Sequence, residues 1–196
     1  MIIAVIILVI VIIFIFRAAN SNSGAKNSIQ ANQSGMKIVE NALLSGSTLG
    51  ALGELLTLTL REGIQKNNVY IREEYPEISE IQITLELGSI IYLAIIDGIR
   101  NLPDNCQEEV RRVFLQRQGL SPEVQRRVVV YSYILDKRET DTEGKILLEL
   151  GKAFADGIRK HEDSTLIIRG EGIFLQYRDL VLKMFQAGRD SIEKIK

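Results

Sequence analysis

The sequence opens with an unbroken apolar run, residues 1–16, that contains no polar side chain. Counted to Ala19, with Arg17 extending toward the headgroups, a helix over this run would be about 28 Å long. That length approaches the roughly 30 Å of a bilayer's hydrocarbon layer. A cleaved signal peptide would begin with a positive charge and end in a small-residue cleavage site, and a buried core helix is the other alternative. We therefore predict a retained single-pass transmembrane anchor at residues 1–19.

The residues that follow this run predict the orientation of the chain. Arg17, Lys26 and Lys37 come before the first acidic residue, Glu40. Because basic flanks stay on the cytoplasmic side of a membrane, we expect the N-terminus outside and the C-terminal domain in the cytoplasm. Residues 20–35 are rich in Asn, Ser, Gln and Gly, and such a composition buries too little apolar surface to offset its ordering entropy. We interpret them as a flexible linker, with a helical extension of the anchor as the alternative.

From residue 36 onward, apolar positions recur with the period of an α-helix. The pattern predicts an all-α fold, with a soluble helical domain at residues 36–196 that forms a compact bundle of about five to six helices. The expected helices span residues 36–66, 79–101, 104–118, 121–138, 141–161 and 170–195. Two short β-branched runs, 128–131 and 166–168, also fit strands.

Capping residues mark several of these helix ends. Residues 79–82 (Ser-Glu-Ile-Gln) and 140–143 (Thr-Asp-Thr-Glu) match the capping box, in which the side chains at N-cap and N3 satisfy free amides reciprocally. Residues 104–107 are its Asp variant. Ser121, followed by a proline and a glutamate, predicts another N-cap. Gly119 predicts the stop of the helix before it.

A short motif recurs at three places, residues 62–65, 97–100 and 156–159: an acidic residue, Gly, Ile, and then Gln or Arg. A glycine followed by an apolar residue is typical of a Schellman stop at a helix end, where a polar or basic side chain is also favourable. The alternative is a helix that continues, with the glycine as a site of close packing. The sequence does not decide between these two interpretations. Both give the motif a role in the fold rather than in binding or catalysis.

Residues 42–60 form a second apolar stretch, with Glu54 as its single charge. Gly46, Gly50 and Gly53 are the positions where the first predicted helix is expected to break, if it breaks. We predict a core helix, because a carboxylate in mid-segment costs several kcal/mol in lipid. The alternative is a second membrane segment, which would indicate a membrane-perturbing oligomer built from residues 1–19 and 42–60.

Composition excludes several classes of protein. The chain has 24 Lys+Arg against 25 Asp+Glu, which argues against a strongly basic nucleic-acid-coating protein and against an acidic disordered tail. One Cys and one His leave no disulfide within the chain and too few ligands for a Cys/His metal cage. We expect no cofactor and no metal.

Candidate catalytic residues are few and scattered. A third interpretation is an enzyme, for which the best candidate residues are Cys106, at the start of a predicted helix, and His161, beside two acids. The acidic residues around position 77 (Glu73, Glu74, Glu77 and Glu80) are typical of a solvated face, and residues 170–172 (Gly-Glu-Gly) lack the rest of a phosphate loop. We expect no catalytic set.

The best candidate contact surface is basic and spans a predicted helix–turn–helix. It consists of five arginines: Arg111, Arg112, Arg117, Arg126 and Arg127. In the simplest interpretation, acidic residues on neighbouring helix faces neutralise these arginines. Anionic lipid headgroups or an acidic protein surface come next, and nucleic acid is the least favoured partner.

These observations predict a membrane-anchored, non-catalytic interaction module, such as a scaffold, adaptor or accessory subunit. Its expected partners are the lipid bilayer and either a protein partner or a second copy of the chain.

Overall fold

The computed structural model describes residues 48–193, and within this range it contains six α-helices and no strand. The helices are α1 (Thr48–Glu74), α2 (Glu80–Arg100), α3 (Asp104–Gln116), α4 (Pro122–Leu135), α5 (Glu143–Gly157) and α6 (Ser164–Glu193), with a short 3-10 helix, Asp136–Glu139, after α4. The predicted helical bundle is confirmed for this part of the chain. The predicted anchor at 1–19, the predicted linker at 20–35 and the start of the first predicted helix lie outside the described residues.

Helix α2 forms the centre of the bundle, because each of the other five helices packs against it. Fourteen of its 21 residues are buried. Among the described helices, α2 alone is long and apolar enough to cross a membrane by length and composition. Most of that apolar stretch is buried inside the bundle, and a buried core helix of a soluble protein can meet the same criterion.

Helix α1 extends further than predicted and is continuous through two of the three expected break points. Gly50 and Gly53 both lie inside it, and it ends at Glu74 rather than at residue 66. Its last turns are stabilised because Asn68 donates a hydrogen bond to Thr84 Oγ1 at 2.8 Å and Ile71 is fully buried.

Helix α6 begins at Ser164, six residues before its predicted start. Asp163 Oδ1 accepts a hydrogen bond from the Leu166 amide at 3.0 Å, as an N-cap side chain does. This bond keeps the pKa of Asp163 below its usual value. Residues 128–131 and 166–168, which also fitted strands, are helical.

The capping predictions had mixed outcomes. Ser121 Oγ accepts a hydrogen bond from the Val124 amide at 3.3 Å, which confirms the N-cap of α4. Ser79 occupies the N-cap position of α2 without capping through its side chain. The N-cap of α5 is Thr142, two residues after the predicted Thr140, and that of α3 is Pro103, one residue before the predicted Asp104.

The stop predicted at Gly119 was wrong. Helix α3 ends at Gln116 with Arg117 as its C-cap, so Gly119 lies in the turn beyond that cap.

The glycines of the repeated motif are sites of close packing rather than helix stops. A Cβ on Gly63 would lie 2.6 Å from Tyr177 Cζ, and one on Gly98 would lie 2.8 Å from Val181 Cβ. A Cβ on Gly157 would overlap the Glu86 carboxylate.

The second motif forms the last turn of α2, and the third lies at the end of α5. At the end of α5 a different residue supplies the left-handed backbone. Arg159 has a φ of 65°. The Lys160 amide bonds the Ala155 carbonyl and the Arg159 amide bonds the Asp156 carbonyl, both at 2.9 Å. These two hydrogen bonds form a Schellman motif with Arg159, not Gly157, as the residue after the cap.

The described part of the second apolar stretch is built into the core. Leu52, Leu56 and Leu60 are all buried, and α1 packs on both α2 and α3. Exposing this stretch to lipid would require α1 to leave both neighbours.

Candidate interaction surface

Helix α4 presents one face to the core and another to solvent. Its cap at Ser121 and the proline at its first position set where it begins. Tyr131, Ile134 and Leu135 are buried against the bundle. The opposite face carries side chains that the bundle does not cover.

Arg127 is part of a buried network with the central helix. Its Nε and Nη2 donate to Glu86 Oε2 at 3.0 and 2.8 Å, and Nη2 also reaches the Ala153 carbonyl on α5 at 2.8 Å. The Tyr131 hydroxyl donates to the same carboxylate oxygen at 2.6 Å. Glu86 is 2% exposed, so this carboxylate is compensated inside the fold rather than by water.

Burial and the neighbouring Glu86 carboxylate raise the pKa of Tyr131 well above its usual value. The phenol therefore stays protonated and donates to Glu86. Glu86 accepts from a guanidinium and a phenol, and the guanidinium also reaches Ala153, so the network joins α2, α4 and α5.

A second buried ion pair lies further along α2. Arg138, in the 3-10 helix, holds Asp97 of α2 through two bonds of 2.6 and 2.7 Å. Both pairs join residues 41 apart in sequence. Glu86 and Asp97 lie about three helical turns apart and therefore on one side of α2.

The third buried acid among the described residues is Glu54 of α1. Arg117, just after α3, donates from Nε to its carboxylate at 2.6 Å. The buried carboxylates Glu54, Glu86 and Asp97 thus take their partners from Arg117, Arg127 and Arg138.

The five arginines of the predicted basic surface consequently have different environments. Arg117 and Arg127 are in the ion pairs just described. Arg126 is 77% exposed and lies 3.8 Å from Glu123. Arg111 and Arg112 lie on the exposed side of α3, where Arg112 donates to Gln116 at 3.3 Å. As a contact surface, the five remain a prediction.

The solvent-facing side of α4, here called the outer face, is defined by Arg126, Val129, Val130 and Tyr133. Val129 is 68% exposed, Val130 43% and Tyr133 69%. These residues are spaced three or four apart along one helix, so their side chains adjoin. Single exposed apolar residues occur on most proteins, whereas an adjoining group points to a contact site.

The candidate catalytic residues are not brought together. Gln107, next to Cys106, bonds the Leu102 carbonyl beyond the C-terminal end of α2. Gln82, near its N-terminal end, bonds the Gly157 carbonyl, close to His161. The length of α2 separates the two regions by about 25–30 Å. His161 Nδ1 lies 2.8 Å from Asp156 Oδ1, on the surface.

Three of the four acidic residues near position 77 bind separate basic residues. Arg169 pairs with Glu74 at 2.7 Å, Lys160 with Glu77 at 2.5 Å and Arg72 with Glu80 at 2.7 Å. Within residues 48–193, no three His, Cys, Asp or Glu residues converge where they would hold a metal ion. Gly170 and Gly172 lie inside α6 rather than in a loop.

The sequence interpretation missed the buried acids and the outer face. A signal for Glu86 and Asp97 was present, because both interrupt an apolar helical run and a buried carboxylate requires a partner. A signal for the outer face was present as well. Residues 128–131 are four consecutive large apolar residues, and successive positions of a helix point about 100° apart, so some must face outward.

Comparisons of this chain with protein-family models, with curated proteins and with solved structures gave no match. Its function is therefore argued from its own geometry.

Proposed function

We propose that this protein is a non-catalytic interaction module held at a membrane, with residues 1–19 as a single-pass anchor and the helical bundle on the cytoplasmic side. The observation that carries the proposal is the outer face of α4, where Val129, Val130 and Tyr133 adjoin on a helix whose other side is fixed to the core. An apolar surface on a rigid element is suited to protein contact.

The distribution of charge supports the same function. The described buried acids each have an arginine partner, and Cys106 and His161 lie at opposite ends of the bundle. The buried acids of the core are thus used to join helices, while Val129, Val130 and Tyr133 of α4 stay exposed.

The first experiment tests the contact. The full chain, isolated from membranes after mild crosslinking, should retain its partners, and the double variant Arg126→Glu/Val129→Glu should lose them. Ile168→Glu is the matched control, because Ile168 is 67% exposed on α6 and Val129 68% exposed on α4. Equal recovery of partners with all three proteins would argue against the α4 contact.

The second experiment tests the membrane topology. The Ser23→Cys/Cys106→Ser variant places the single thiol in the predicted linker. In intact cells we expect this thiol to resist a membrane-impermeant maleimide until lysis. Labelling before lysis would place the bundle outside the cytoplasm, and recovery of the chain in the soluble fraction would contradict the anchor.

A further inference from the structure

We draw no further inference here: the strongest candidate, the outer face of α4, belongs to the contact site already described, and nothing in the described part of the chain shows what covers it.

Discussion

Glycines in this bundle serve mainly as contact points between helices. Gly63 lies against Tyr177, and Gly98 lies against Val181 and the Arg178 carbonyl, both on α6. Gly170 of α6 lies against Phe154 of α5. A side chain at any of these positions would have to push helices apart, because packed interiors leave little space to absorb a methyl group.

Two glycines of α6 provide a matched test of this role. Gly170→Ala should destabilise the fold by about 1 kcal/mol, since its Cβ would lie 2.9 Å from Phe154 Cβ. Gly172→Ala, with no atom within 4 Å of the new Cβ, should stabilise it by about 0.5–1 kcal/mol through the greater helix propensity of Ala. Chemical denaturation measures both, and the same sign for the two variants would contradict the packing role.

The buried hydroxyl of Tyr177 predicts a loss of stability at alkaline pH. Burial raises the pKa of Tyr177 to about 12. The unfolded chain releases this proton near pH 10, so the contribution of Tyr177 is complete below about pH 10 and is lost as the pH rises toward 12. The loss should reach about 2–3 kcal/mol.

Comparison of wild type with Tyr177→Phe isolates this effect from the titration of lysines. Urea denaturation between pH 8 and about pH 12 should show a steeper decline for the wild type than for the variant. Parallel declines would mean that the phenol ionises without unfolding the protein.

At the scale of a single element, α4 combines a core contact and a solvent-facing contact. Arg127 and Arg126 are neighbours in sequence, yet Arg127 bonds Glu86 in the interior and Arg126 extends into solvent. The difference follows from the 100° turn between successive helical residues. Only the side of the helix that faces α2 meets a buried acid.

These two arginines should therefore respond differently to truncation. Arg127→Ala should destabilise the fold by about 3–5 kcal/mol, because it leaves the Glu86 carboxylate buried without its guanidinium. Arg126→Ala should stay within about 0.5 kcal/mol of the wild type, as an exposed pair contributes little. Thermal and urea denaturation of both variants provide the comparison, and similar stabilities would contradict the assigned burial.

Two N-cap serines predict a second contrast between elements. Ser121→Ala should cost about 1 kcal/mol, because Ser121 Oγ accepts from the Val124 amide. Ser79→Ala should cost much less, since Ser79 makes no side-chain capping bond. An equal loss of free energy of unfolding in both variants would show that Ser79 also caps.

At the scale of the whole molecule, the bundle is organised around α2, which all five other described helices contact. Every other described helix packs on α2, and its two acids, Glu86 and Asp97, are paired with arginines from the α4 region. Together, apolar burial and these two pairs place α2 at the centre of the bundle.

Hydrogen exchange tests this organisation. The amides of α2 between Ile83 and Ile99 should exchange only when the whole bundle unfolds, because opening α2 alone would break its contacts with five helices. Amides in the 3-10 helix, Asp136–Glu139, should exchange much faster. Mass spectrometry of exchanged peptides measures both, and equal rates would contradict a central α2.

The amino-acid sequence alone was sufficient to predict the helical class and most of the helix positions. Helix periodicity and the Ser121 cap are local properties, so they located α2 and α4 within a few residues.

Tertiary structure decided which residues of each helix meet. It made Gly63 a contact for Tyr177 instead of a helix stop. It also placed Arg127 against the buried Glu86 and left Arg126 in solvent. Periodicity repeats every 3.6 residues and describes one helix, whereas the bond between Arg127 and Glu86 joins positions 41 residues apart. Which arginine is buried therefore depends on how helices pack, and only the assembled bundle determines that.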